Sequence, residues 1–318
     1  MTQMPNRVPP VAIRSRMVLE LASELIEQAD WPHRRAHISL RDRDFEAAGF
    51  TLYGSGSPDG IDLVARGEAH LAMINPSAVL TMAYRGTGPY PEPIPVRIVT
   101  VIGSYDQIAL AVAESTGLRT LAEVGEQQYP LRVSIRGPRG NSVALFVNEV
   151  CKAAGFALDD IERWGGKVDY DYRLPGLRIA DVESGAYEAL FDEAVTVWAN
   201  RAAGSGMTFL PIDGSLREAV TPMGMRPGVL SKAAYPNLPA DVQTLDFSGF
   251  PLYTRADVPD AEVRAICAAL EARRSSLPWE GHGPMPLERM CKESSEGPFD
   301  VPLHPAAEAF WREQGYLQ

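Results

Sequence analysis

Long apolar runs are what this sequence most plainly lacks. None approaches the ~20 residues needed to cross a bilayer, so no direct membrane insertion is expected. The opening stretch, 1–10, is polar and contains prolines. It has no basic segment followed by an apolar one, the mark of a secretory signal. The sequence as given is therefore expected in the cytoplasm, or in the periplasm if an export signal was trimmed. Basic charge is also in deficit, with 30 Lys and Arg against 41 Asp and Glu and a net charge of -11. A nucleic-acid binder normally carries a basic face, so no nucleic-acid partner is expected. A small anionic ligand stays open, because a local pocket can oppose the global charge.

Cysteine is scarce. Cys151, Cys267 and Cys291 are odd in number, widely spaced and form no CxxC pair. Cys151 and Cys267 fall in apolar helical patterns and read as buried free thiols. His33, His37, His70, His282 and His304 are scattered. His33 and His37 share an i,i+4 spacing, but Pro32 and the strand-like Ile38-Ser39-Leu40 argue against one helix face. No metal and no cofactor are expected. No Gly-x-Ser-x-Gly or other catalytic signature is present.

What remains is a chain of 318 residues, 45% hydrophobic and 22% charged, long enough for one large domain or two ordinary ones. Strand-like and helix-like runs alternate. Helical spacing marks 17–28, 60–66, 76–84, 118–124, 143–154, 195–203, 259–275 and 305–314. Strand-like runs fall at 37–41, 50–53, 71–74, 96–102, 108–113, 131–135, 187–191 and 207–212. Trp31-Pro32 reads as the stop of the first helix. Pro89, Pro91, Pro93 and Pro95 make 86–95 a loop. The alternation predicts an α/β fold with a mainly parallel sheet covered on both faces. The length suits two lobes joined near Ser104 and Asp213, with 1–104 plus 214–318 forming lobe I and 105–213 lobe II.

Four short polar loops follow strand-like runs and open helix-like ones: Gly54-Ser55-Gly56-Ser57, Asn75-Pro76-Ser77, Arg136 to Ser142, and Asp192-Glu193. In open α/β sheets, ligands bind beyond the carboxyl ends of strands, and helix N-termini there suit anions. Arg136 and Arg139 flank a Gly-Pro turn, and each can grip a carboxylate bidentately or stand in solvent. Asn141 and Ser142 read as N-caps that can share N–H groups with a ligand. Ser55, Ser57, Asn75 and Ser77 carry the same two readings, turn or cap on one hand and ligand contact on the other. Tyr105, Asp106 and Gln107 sit where one lobe crosses to the other, a place for polar contacts. Asp192 and Glu193 can receive an amino group, perform acid/base chemistry, or simply favour a helix dipole. Trp164 and Trp198 read as cleft walls or as core.

Three segments carry a family resemblance. The run from Gly54-Ser55-Gly56-Ser57 through Val64-Ala65-Arg66-Gly67-Glu68-Ala69-His70-Leu71-Ala72-Met73 is the first. Val133-Ser134-Ile135-Arg136-Gly137-Pro138-Arg139-Gly140-Asn141-Ser142 is the second. The third and most specific is Pro302-Leu303-His304-Pro305-Ala306-Ala307-Glu308-Ala309-Phe310-Trp311-Arg312-Glu313-Gln314-Gly315-Tyr316-Leu317. Together they resemble the solute-binding subunits of TAXI-type tripartite (TRAP) transporters, from about Thr51 onward. The resemblance implies a periplasmic-binding-protein type II fold, two α/β lobes with the ligand cleft between them, a small carboxylate ligand and, if the chain is exported, TRAP membrane subunits as partners. Where that family's first strand ends in a Gly-rich, Tyr-containing loop, this chain has Ala12-Ile13-Arg14-Ser15-Arg16, which makes Arg14 and Arg16 ligand candidates. The alternative is a cytoplasmic enzyme on the same fold, such as a decarboxylase-type lyase acting on a carboxylic or aromatic acid, with Asp192 and Glu193 as catalytic groups. A cytoplasmic ligand sensor is a third reading, although the chain shows no output domain.

Overall fold

The computed structural model describes residues 10–27, 35–40 and 50–318. The chain divides into two compact units, Met1–Ala36 and His37–Gln318. The first unit carries helix α1 (Pro10–Glu27). The expected helix over 17–28 thus begins earlier, at Pro10, a favoured first-turn residue because its missing N–H needs no partner there. Residues 12–16, expected as a strand-end loop, lie inside this helix instead. Trp31-Pro32, His33 and Arg41 lie outside the described residues.

The second unit holds two sheets. The chain builds β1 (Ala36–Leu40), β2 (Phe50–Gly54), α2 (Asp59–Ala65), β3 (Leu71–Met73), α3 (Ser77–Arg85) and β4 (Val96–Ile102). It then crosses into β5 (Gln107–Ala113), α4 (Leu121–Glu126), β6 (Arg132–Arg136), α5 (Ser142–Ala153), α6 (Leu158–Arg163), β7 (Lys167–Asp171), α7 (Pro175–Glu183) and β8 (Ala189–Asp192). The same part continues through α8 (Ala199–Gly204), β9 (Met207–Phe209), α9 (Gly214–Val220), β10 (Pro227–Leu230) and β11 (Val242–Asp246). The chain returns as β12 (Phe250–Arg255) and ends in α10 (Asp260–Arg273), α11 (Leu287–Met290) and α12 (Pro305–Glu313). One sheet has the order β1-β2-β3-β12-β4, the other β10-β11-β5-β8-β6-β7 with β9 on β5.

The α/β class is as expected, but the sheets are mixed rather than mainly parallel. Parallel pairs join β2 to β3 and β6 to both β7 and β8. The strands that carry the chain between sheets pair antiparallel: β5 with β8, β9 and β11, and β12 with β3 and β4. The expected return near Asp213 is also displaced. β10 and β11 lie beyond it yet pair within the second sheet, so the chain goes back only between Asp246 and Phe250.

Side-chain alternation along strands divides the second sheet's apolar residues between two faces. Val133, Ile135 and Phe191 join the cluster under α5, with Val143, Phe146, Val147 and Val150 at helical spacing. Leu190 faces the other way, with Ile179, Trp198 and Ala199. The segment most specific to the family resemblance has a structural role. Ile98 N–H donates to Pro302 O at 3.0 Å, and His304 N–H donates to Ile98 O at 2.8 Å, so the segment runs along β4. His304 Nδ1 caps α12 by accepting from Ala306 N–H at 3.2 Å. Buried Trp311 then ties α12 to β4 by donating its indole N–H to Val99 O at 2.8 Å.

The two passages between sheets bond to each other. Phe247 N–H donates to Asp106 O at 2.9 Å and Gly249 N–H to Ser104 O at 3.1 Å. Gly249 has φ +86°, and a Cβ there would collide with Ser77 Oγ and sit 3.0 Å from Pro298 Cδ. Both the left-handed backbone and the crowding demand glycine. Gly249→Ala should therefore cost about 2–4 kcal/mol, combining left-handed strain with overpacking. Urea unfolding measures this, and an unchanged midpoint contradicts the assignment.

Candidate functional site

The end of β6 lies beside the end of β8. Their register pairs Ser134 with Leu190 and Ile135 with Phe191, which sets Arg136 next to Asp192. Ser134 and Arg136 share a face of β6, and α7 lies over it. Pro175 in the first turn starts α7, and its Arg178 side chain is fully buried. Arg178 forms an ion pair with the equally buried Asp192, donates to Ser134 Oγ at 2.8 Å, and donates to Arg173 O at 2.9 Å. Burial, followed by the charge of Arg136, pushes its guanidinium down to about 10, which leaves it charged at neutral pH.

Asp192 works in three directions. It holds Arg178, accepts from Glu193 N–H at 2.8 Å, and faces Arg136 Nε at 3.7 Å. Arg136 also pairs through Nη1 with Glu193. The Arg136 side chain is 22% exposed, and its Nη2 is buried with no hydrogen-bond partner among the described residues. Glu193 is presented by a tight turn. Ala194 has φ +54°, a left-handed conformation that costs a non-glycine residue about 1–2 kcal/mol. Asp106 Oδ2 accepts its N–H at 2.8 Å, and Trp198 Nε1 donates to Glu193 O at 2.8 Å. Such strain is held in place by surrounding contacts and clusters at functional positions.

Burial, and then a hydrogen bond with Asp106, push the Glu193 carboxyl up to about 8. Arg136 pulls it down, while the charges of Asp106 and Glu280 add to the rise. Glu193 therefore keeps its proton at neutral pH, hydrogen-bonded with Asp106. Asp106 lies on the first passage between sheets, and Ser248 on the second. Ser248 Oγ accepts from Asp106 N–H at 3.0 Å. Burial raises Asp246 as well.

Three of the four sequence-marked loops are linked into this region. Ser142 Oγ donates to Gly56 O at 3.2 Å, which joins the loop after β2 to the start of α5. Asn141 caps α5, its Oδ1 accepting from Val143 N–H at 2.8 Å. Ser55 Oγ accepts from Ser57 N–H at 3.1 Å, a turn bond within the loop. Asn75 Nδ2 donates to Gly249 O at 3.3 Å, and Ser77 N–H to Ser248 O at 3.1 Å. Ser77 Oγ is buried with no hydrogen-bond partner among the described residues. Gln107 is buried and donates to Tyr105 Oη at 3.2 Å and Val229 O at 2.9 Å, while Tyr105 is exposed. The fourth loop, Asp192-Glu193, is the centre of the charge network.

Other expectations part from this arrangement. Arg139 leaves Arg136 and points to an outer groove, where it pairs with Asp159 at 2.6 Å and Glu162 at 3.3 Å and lies over the Tyr170 ring. That groove, about 340 Å³, is lined by Leu145, Asn148 and Lys152 of α5, Leu158 of α6, and Tyr170. Arg14 and Arg16 lie within α1, in the other unit, and Arg16 pairs with Glu20 at 3.3 Å. Trp198 is core and stacks on Phe209, while Trp164 packs against Phe156. All three cysteines are buried free thiols, and burial raises each. Among the described residues no group of three or more His, Cys, Asp or Glu could hold a metal ion. Sequence reading missed Arg178, whose burial only β6 and β8 together create.

Two measurements check the network. Arg178→Met strands Asp192 and should cost about 3–5 kcal/mol in urea unfolding, as loss of one partner from a buried pair does. Adding Asp192→Leu should recover much of it, and a double variant as unstable as the single would refute the pairing. For Glu193, the folded pKa near 8 lies above the ordinary value of 4.5, so the folded state holds a proton the unfolded state has lost. That stabilisation is complete below about 4.5 and fades as pH rises through 8. Wild-type stability should fall relative to Glu193→Gln between those values, and parallel pH profiles would refute the raised carboxyl.

The model of the NMT1-like family matches residues 44–315, and the chain belongs to that family. Among curated proteins none matches it. Solved structures similar to it include an ancestral arginine-binding protein bound to arginine, at 11% identity and TM-score 0.32, covering 68% of this chain and 71% of that one. The periplasmic aliphatic sulphonate binding protein SsuA from Escherichia coli is similar at 14% identity and TM-score 0.33, covering 68% of this chain and 58% of its own. A TctC solute binding protein from Polaromonas is similar at 13% identity and TM-score 0.32, covering 67% and 66%.

Proposed function

We propose that this member of the NMT1-like family is a solute-binding protein that holds a small carboxylate between its two sheets. The observation that carries the reading is the buried Nη2 of Arg136, which has no hydrogen-bond partner among the described residues. A buried donor without a partner costs about 1–3 kcal/mol, more when charged, and a carboxylate would remove that cost. The α5 N-terminus, reached through Gly137 to Asn141 from Arg136, adds a favourable dipole for negative charge. The Glu193–Asp106 pair would receive an amino or hydroxyl group of the same ligand. The two bonded passages between sheets would act as the hinge for closure. In finer terms the chain is of the TAXI type its three motifs resemble. A periplasmic location and TRAP membrane subunits go with that reading.

One observation favours a second reading. A carboxyl that stays protonated to about pH 8 is a proton donor at neutral pH. Beside Arg136, Glu193 could protonate the carbon left when a bound acid loses carbon dioxide and then regain its proton from water. The chain would then be a cytoplasmic decarboxylase-type lyase for carboxylic or aromatic acids.

Calorimetric titration with aliphatic, amino and aromatic carboxylates separates the two, with each mixture assayed afterwards for carbon dioxide. The expected result is binding with the ligand recovered intact, and about 30-fold or greater loss of affinity in Arg136→Ala. Unchanged affinity in that variant removes Arg136 from the site. Carbon dioxide release that disappears in Glu193→Gln replaces the binding reading with the lyase.

A further inference from the structure

Among the described residues of the second unit, the large apolar side chains left exposed are Leu40, on β1, and Tyr105, Tyr172, Leu174, Leu177, Val197 and Val229. All but Leu40 gather around one place. Strands β8, β6 and β7 are neighbours in that order and run parallel, so their ends share an edge with Arg136 of β6 in the middle. Arg136 pairs in register with Asp171, and Tyr172, Leu174 and Leu177 follow directly. Val197 follows β8, on the turn that presents Glu193 to Arg136. These two connections meet: a Cβ on Gly176 would sit 3.1 Å from Val197 O and 3.6 Å from Val197 Cγ2.

Hydrogen bonds extend the surface past Glu193. Val197 N–H donates to Ala194 O at 3.0 Å, and Ala194 N–H donates to Asp106 Oδ2 at 2.8 Å, next to Tyr105. Gln107 Nε2 donates to both Tyr105 Oη and Val229 O. Apolar side chains thus stand on both sides of the Glu193 turn. Exposed apolar clusters mark ligand grooves or protein interfaces. A standard protein interface takes about 20–30 residues a side, whereas this surface offers a handful, the measure of one small molecule. An apolar chain or ring whose carboxylate is held by Arg136 would lie against these side chains and remove them from water.

Resting on the reading of Arg136 as a carboxylate anchor, we propose that the ligand is an amphipathic acid whose aliphatic or aromatic body lies on Tyr172, Leu174, Leu177 and Val197. Calorimetric titration of the full chain with propionate, butyrate, hexanoate, octanoate, glutamate and malate tests it. Each added methylene should raise affinity about threefold, and hexanoate should bind more tightly than glutamate or malate. Arg136→Ala should weaken every acid. Leu177→Ser/Val197→Ser should flatten the series and weaken octanoate about tenfold, with circular dichroism confirming the fold. Acids that bind through Arg136 without regard to chain length, or a slope that survives in the double variant, overturn the inference and leave the carboxylate reading standing. Affinities unmoved by Arg136→Ala, or no binding of any acid, overturn both. A wild-type dimer in sedimentation velocity that the double variant dissolves, with the slope unchanged, gives the surface to a second copy of the chain instead.

Discussion

Arg178 and Asp192 are charges taken wholly out of water, and neither could be buried without the other. Their pairing fixes α7 over the face that β6 and β8 share. It also fixes what lies beyond. Asp192 turns its second oxygen to Glu193 N–H and Arg136, Arg136 reaches Glu193, and Glu193 reaches Asp106 on the passage between sheets. A run of bonded charged and polar groups thus extends from a helix behind the sheet to the segment that joins the two sheets. Arg136 is the member with a donor to spare, and its guanidinium is oriented by groups that cannot move without stranding a charge.

This arrangement reconciles the acidic chain with the proposed anionic ligand. A net charge of -11 says little about a site where one half-buried guanidinium faces a carboxylate already paired with Arg178 and a second carboxyl that holds its proton. Two of the acids nearest Arg136 are thereby neutralised, one by pairing and one by protonation. What the site offers a ligand is local, set by burial and hydrogen bonding rather than by composition.

Much of this was legible in the sequence, and the failures have physical causes. β5 is apolar from Ile108 to Ala113 and β4 is apolar apart from Arg97 and Thr100, and their strand reading needed no partner. The polar loops after strands were visible as loops, but a sequence does not show which way a loop side chain points. Arg136 continues the strand's face and turns to Asp192, while Arg139, past the Gly-Pro turn, points outward to Asp159. Arg178 reads as a surface residue because the groups that bury it come from β6 and β8. β12 was hidden by Pro251, which argues against a central strand. A register irregularity between Leu252 and Tyr253 accompanies it in the pairing with β4. Missing β12 and β11 is what moved the expected return between sheets to Asp213.

The central claim is that Arg136 is the anchor for a ligand held between the sheets. A crystal structure of the protein with the tightest-binding carboxylate tests it most directly. The account predicts a carboxylate oxygen within hydrogen-bond distance of Arg136 Nη2, with the rest of the ligand near Glu193 and Asp106. A carboxylate seated against Arg139 in the outer groove, with Arg136 still bonded only to its own acids, would contradict it.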